Sequence, residues 1–157
     1  MRVGMGYDIH RLTAGRKLVI GGCEIPSSVG EMAHSDGDVL LHAVIDAMLG
    51  ASVQEDIGAH FPSEDPQYQG ISSRILLKRT LEVVEKAGFR PDSLDCTVIL
   101  EQPKLRPYIA RIRETVAEDL GLETDRVSVK AKTKEGLGDV GQGRAIEAYC
   151  VLQLESL

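Results

Sequence analysis

The chain has 157 residues, 43% hydrophobic and 27% charged, which suits one domain with a core of its own. Its formal charge of −6 speaks against a nucleic acid gripped by its backbone, so an anionic ligand would need local groups and metal to hold it. No apolar run of about 18 residues occurs, so no membrane partner is expected. The first residues are already strand-like and include Asp8, so no signal or transit peptide is expected. Cys23, Cys96 and Cys150 lack metal spacing, which points to a reducing, cytoplasmic setting.

Arg2 to His10 reads as a strand. Residues two apart share a face, so Asp8 and His10 point together while Tyr7 and Ile9 point away. Lys17–Ile20 and Cys23–Ile25 form a short strand pair turned by Gly21-Gly22, and 26–32 is irregular. A polar loop, Ala33-His34-Ser35-Asp36-Gly37-Asp38, then opens a helix from Val39 to about Leu49, with Asp36 or Ser35 as N-cap. That helix is apolar on nearly every face and should be buried. From Ala51 to Gly70 there is almost no periodicity, the mark of a functional or mobile loop.

A second helix runs from Ser72 or Ser73 to Ala87, with Ile75, Leu76, Val83 and Val84 inward and Gly88 as stop. Leu94 to Leu100 alternates as a strand. A third helix follows Pro107, burying Tyr108, Ile112, Val116 and Leu120 and ending at Gly121. Val127–Thr133 and Ala145–Leu154 are two more strands, the latter with Ile146, Ala148, Cys150, Leu152 and Leu154 on one face. The order β, α, α, β, α, β predicts an α+β two-layer sandwich, a split βαβ-like four-stranded sheet with helices on one face.

Asp38, His42 and Asp46 recur every four residues and make a polar stripe on an otherwise apolar helix, which is costly without partners. Asp8 and His10 from the strand with His42 from the helix would form three ligands around an open fourth position, the pattern of a catalytic zinc. An Asp-x-His on a strand also occurs as a purely structural pair. Glycines 136, 138, 141 and 143 fit either a turn or a phosphate approach. Asp38 and Asp46 could orient His34, His42 or the loop. His60 reads as an exposed loop histidine.

Gly-Tyr-Asp8-Ile-His10 and Ala-His34-Ser35-Asp-Gly-Asp38-x-x-x-His42 closely resemble the 2-C-methyl-D-erythritol 2,4-cyclodiphosphate synthase family. The resemblance continues, in order, through Asp56-Ile57-Gly58, Phe61-Pro62, Asp65-Pro66, Pro103-Lys104-Leu105 and Lys130-Ala131-x-Thr133-x-Glu135. It implies ring closure on 4-diphosphocytidyl-2-C-methyl-D-erythritol 2-phosphate with release of CMP. It also implies a homotrimer with sites between subunits, one Zn²⁺ on Asp8, His10 and His42, and Mg²⁺ or Mn²⁺ near Glu135. By the same resemblance His34 and Thr133 position phosphate oxygens, and the Ser35 N–H is a further donor. Asp56, Ile57 and Gly58 hold the methylerythritol hydroxyls, and Phe61, Pro62 and Asp65 line that pocket. Leu100, Pro103, Lys104, Leu105 and Arg106 hold the cytidine, with Ala131 and Lys132 beside Thr133.

The chain departs from the family's pattern at Lys132 and Lys134, where threonines are usual, and at Asp139. Gln142 stands for an arginine that in some relatives lies near the trimer axis, where isoprenoid diphosphates bind, so that site is in doubt here; Arg144 is the candidate replacement. Two other readings stay open: a zinc phosphoesterase that uses water, and a non-catalytic trimeric module that binds a nucleotide or isoprenoid diphosphate.

Overall fold

The computed structural model describes all residues, Met1–Leu157. Seven strands and five helices follow in the order β1 (Arg2–Ala14), β2 (Leu18–Ile20), β3 (Cys23–Ile25), β4 (Val29–Met32), α1 (Val39–Ser52), α2 (Ile57–His60), α3 (Ser73–Lys86), β5 (Phe89–Ile99), α4 (Ile109–Leu120), β6 (Val127–Lys132), α5 (Gly138–Gly141) and β7 (Ala145–Ser156). No helix is long and apolar enough to cross a membrane.

The main sheet has five strands rather than the expected four, in the order β4-β1-β7-β5-β6; only the β5–β6 pair is parallel. The extra strand is β4, in a stretch expected to be irregular. It is four residues long and sits at an edge, where its pairing to Arg11–Ala14 is set by the sheet and not by any alternation of its own. Gly30 is required there, because a Cβ would stand 2.0 Å from the Lys17 carbonyl oxygen. The β2–β3 pair forms a separate ribbon turned by Gly21-Gly22, both at positive φ.

One apolar cluster fills the space between one sheet face and α1, α3 and α4. Ile146, Ala148, Cys150, Leu152 and Leu154 of β7 all point into it, and the three cysteines are buried and unpaired. On α3 the buried residues are Ser73, Leu76, Leu77, Thr80 and Val84; Ile75, expected inward, faces solvent because it falls one step around the helix from that stripe. The opposite face of β1 and β7 exposes Val3, Met5, Tyr7, Ile9, Tyr149 and Val151, with the Tyr7 and Tyr149 rings 4.9 Å apart.

α1 lies directly on β1. Gly4 and Gly6 face Ala43, Ala47 and Ala51, a stripe of small residues at helical spacing. Contact through small residues lets backbone meet backbone. Along α1 only His42, Asp46 and Gly50 escape full burial, and they mark the side that stays open.

The N-cap of α1 is Asp38, not Asp36 or Ser35. Its carboxylate accepts from Leu41 N, and also from Gly21 N and Gly22 N, so it ties the β2–β3 turn to the start of α1. Burial pushes its pKa up to about 6, against the pull of the Gly22, Leu41 and Gly21 N–H groups. Asp38→Ala removes the cap and strands two further N–H groups. A loss of about 3 kcal/mol is expected, or roughly a 10 °C fall in Tm for a domain of this size by calorimetry; a change under about 2 °C would show that the buried charge outweighs its bonds.

The span 51–70 is more ordered than its sequence pattern. Asp56 caps α2 through Ala59 N, and Asp65 caps a 3-10 turn at Pro66–Tyr68. Both are single turns, too short to produce a hydrophobic period. His60 belongs to α2 and is half-buried, its Nε2 donating to the Gln54 carbonyl.

Candidate metal centre

Successive same-face positions of β1 are Gly4, Gly6, Asp8 and His10. The first two carry α1 on their backbone, and the next two meet the helix where His42 begins its open side. Asp8 Oδ2 lies 3.0 Å from His10 Nε2 and 2.9 Å from His42 Nδ1. The ligand atoms of the three residues all lie within 4.8 Å of one another. Ligands around a tetrahedral zinc stand roughly 3.4 Å apart, given bonds of about 2.0–2.2 Å. The set therefore matches an ion's span with little movement.

The outer hydrogen bonds of the two rings decide which nitrogens are free. His10 Nδ1 is 2.8 Å from Gly37 O, which can only accept, and 2.8 Å from Glu31 Oε2. Nδ1 therefore carries a proton whatever the state of the ring, and Nε2, which faces Asp8, is the nitrogen that yields its proton to a metal. His42 Nε2 faces Ser73 Oγ at 3.0 Å and Ser35 Oγ at 3.1 Å. Ser73 Oγ donates to Asp36 Oδ1, so toward His42 it accepts; Nε2 is the protonated nitrogen and Nδ1 is free. Both histidines thus aim the nitrogen that their outer partners leave unused at the same point, as metal-binding imidazoles do. Two nitrogens and one carboxylate oxygen could hold a divalent metal.

Electrostatics agree. Burial raises the Asp8 carboxyl, but hydrogen bonds from His10 and His42 outweigh it and hold Asp8 well below the usual carboxylate range. Burial lowers His10, yet its bonds to Asp8 and Glu31 push it up to about 10. Negative potential at this point favours a cation, whether proton or metal.

The triad opens into a cavity of about 300 Å³, walled on the α2 side by Ile57, Gly58, Phe61, Ser63 and Tyr68. His34 and Ser35 also line it, and His34 Nε2 donates to the Asp65 carbonyl at 3.2 Å. Asp46 holds α2 in place by accepting from Ile57 N, while Asp38 bonds to main-chain N–H groups and reaches neither His34 nor His42. Of the expected pocket residues, Asp56, Pro62 and Asp65 do not line this cavity.

The other candidates gather elsewhere, at the C-terminal ends of β5 and β6. Leu100 N donates to Lys132 O, Lys134 N to Glu101 Oε2, and Lys104 Nζ lies 3.4 Å from Glu101 O. Thr133 Oγ1 and Glu135 Oε1 are 3.3 Å apart, with Glu135 at φ 52. Leu105 is buried beneath this loop, and Ala131 and Lys132 are exposed. This cluster and the triad share one end of the sheet, but β7 and β5 lie between β1 and β6, a spacing of roughly 14 Å. Sequence reasoning missed Glu31, Ser73 and Tyr68.

Comparison with known proteins gives the family. Residues 1–155 match the profile of the YgbB family. The chain is 51% identical over 155 residues to the 2-C-methyl-D-erythritol 2,4-cyclodiphosphate synthase of Geobacter sulfurreducens, covering 99% of each. To the enzyme of the same name from Gloeobacter violaceus it is 52% identical, covering 99% of this chain and 95% of that one. Among solved structures, a 2C-methyl-D-erythritol-2,4-cyclodiphosphate synthase in a CDP-bound form superposes with a TM-score of 0.91 at 37% identity, over 98% of this chain and all of that one. Matched from end to end in sequence and in fold, the chain belongs to the YgbB family, that of the 2-C-methyl-D-erythritol 2,4-cyclodiphosphate synthases.

Proposed function

We propose that the chain performs its family's reaction by metal-assisted phosphoryl transfer within one substrate, 4-diphosphocytidyl-2-C-methyl-D-erythritol 2-phosphate. An oxygen of the 2-phosphate bonds to the β-phosphorus, the bond from that phosphorus to the bridging oxygen breaks, and CMP leaves with the bridging oxygen. Such a transfer needs positioning and positive charge, not a protein nucleophile. The observation that carries the reading is the donor set: two imidazoles with fixed free nitrogens and a carboxylate, at the mouth of a ligand-sized cavity.

Asp8, His10 and His42 would hold Zn²⁺ and Glu135 would help hold Mg²⁺ or Mn²⁺; when bound, these ions polarise and neutralise the phosphate oxygens. His34, on the cavity wall, donates to a phosphate oxygen as charge builds in the transition state. Ile57 and Gly58 orient the methylerythritol end. Lys104, with the backbone of 100–106, holds the cytidine, and Thr133 steadies the diphosphate.

A trimer joins the two clusters, with the triad of one subunit facing Thr133, Glu135 and Lys104 of its neighbour. Two features support this: the strands that separate the clusters within one chain, and the apolar outer face of β1 and β7, which has no cover in a single chain. At the outer end of β7, Arg144 is already engaged by Asp139 and Gln142.

Phosphorus NMR of the protein with that substrate, zinc and magnesium tests the reading. CMP and a cyclic diphosphate are expected, with no inorganic phosphate. Inorganic phosphate or a linear product would instead make it a hydrolase on the same scaffold.

A further inference from the structure

Glu31 is the one acid wholly inside the protein that touches the triad. Its side chain is fully buried, Oε2 lies 2.8 Å from His10 Nδ1 and 2.9 Å from Val39 N, and Oε1 has no hydrogen-bond partner at all. The placement follows from register. β4 pairs with β1 so that Glu31 stands opposite Leu12, which puts it diagonal to His10 on the same face. The Gly37 turn closes over it so tightly that a Cβ on Gly37 would stand 2.8 Å from Glu31 Cβ.

A buried carboxylate with an unsatisfied oxygen is expensive, and a leucine would fill this volume without that cost. Capping Val39 N–H does not account for it, since α1 has Asp38 as its cap. What Glu31 adds is a carboxyl acceptor for the ring nitrogen of His10 that faces away from Asp8, although burial pushes that carboxyl up and so favours its neutral form until a cation stands nearby. An imidazole that donates to a carboxylate on one side is a better and better-oriented ligand on the other, and a divalent charge at the far nitrogen offsets the buried negative charge.

We propose that Glu31 is a positioning residue of the metal centre: it fixes the His10 ring with Nδ1 protonated and strengthens Nε2 as a ligand. By tying His10 to Val39 N, it also sets the strand half of the triad against the helix that carries His42. The proposal rests on the metal reading above, and its test separates the two.

Zinc affinity is measured by chelator competition on the intact protein and on Glu31→Leu and Glu31→Gln, with the melting temperature of each metal-free protein recorded alongside. Loss of an outer partner of this kind weakens metal binding by about 10- to 100-fold, and that is expected for Glu31→Leu. Gln keeps an acceptor for His10 and Val39 but loses the charge that roughly doubles such a bond. It should therefore melt as the parent does and bind zinc about three- to tenfold more weakly, a partial rescue that a merely structural role would not give. Parent protein that takes up no zinc would overturn the metal reading and this inference with it. Parent protein that binds zinc while both variants match it within about twofold would overturn the role of Glu31 alone. Should Glu31→Leu fail to fold, Glu31→Gln decides by the same twofold limit.

Discussion

Gly6→Ala is expected to remove most of the stability of the domain. A Cβ at this position would stand 1.9 Å from the Ala43 carbonyl oxygen and 2.8 Å from Ala47 N. Both obstacles are backbone of α1, so no rotamer change makes room. The helix would have to lift from the sheet along its most buried face, opening the core around Ala43, Ala47 and Met48. Overpacking against side chains costs about 1–3 kcal/mol; against a rigid helix backbone we expect about 4 kcal/mol or more, a large share of a total near 5–15 kcal/mol. Gly50→Ala is the control. Nothing lies within 4 Å of its added methyl, and it sits inside α1 without a positive φ. It should raise stability by about 0.5–1 kcal/mol. Urea unfolding of the two variants decides: if Gly6→Ala loses less than about 1 kcal/mol, the close approach of β1 and α1 is wrong.

The same approach explains why the triad was legible. A period of two on β1 and of four on α1 each exposes one polar series against an apolar background, and the helix lies on the strand face that carries Asp8 and His10. Long elements with clear alternation, such as β7 with Ile146 to Leu154, were legible for the same reason. The misses share a cause: their conformation comes from a distant partner. β4 is held by pairing with β1, α2 by the caps of Asp56 and Asp46, and the cap of α1 passes from Asp36 to Asp38 because Gly21 and Gly22 offer it two more N–H groups. Glu31 was invisible because it meets His10 only through the register of that edge strand. Thr133, Glu135 and Lys104 rest on resemblance alone, since single residues at strand ends and turns carry no periodic signal.

His42→Ala is expected to abolish turnover while leaving the subunit folded. The ring lies on the open side of α1, so truncating it removes Nδ1 from the triad and exposes no large cavity in the core. Two ligands, Asp8 and His10, would remain. A metal at a phosphoryl oxygen contributes several kcal/mol to the transition state, and about 4 kcal/mol corresponds to roughly a thousandfold in rate. The phosphorus NMR assay should therefore show at most about a thousandth of the parent rate, and metal analysis should show little zinc in protein whose circular dichroism is unchanged. Parent-like turnover in His42→Ala would end the zinc assignment. The same variant tests the shared site. If His42 of one subunit works with Thr133 of the next, His42→Ala and Thr133→Ala subunits, each inactive alone, should recover activity when unfolded and refolded together. Random assembly in equal amounts gives an intact pairing at about a quarter of the interfaces, so about a quarter of the parent activity should return. No recovery in trimers shown to be mixed would mean that each chain closes its site alone. In that case the cluster at the ends of β5 and β6 would have to swing across two strands to reach the triad, which the pairing of β7 with both β1 and β5 opposes.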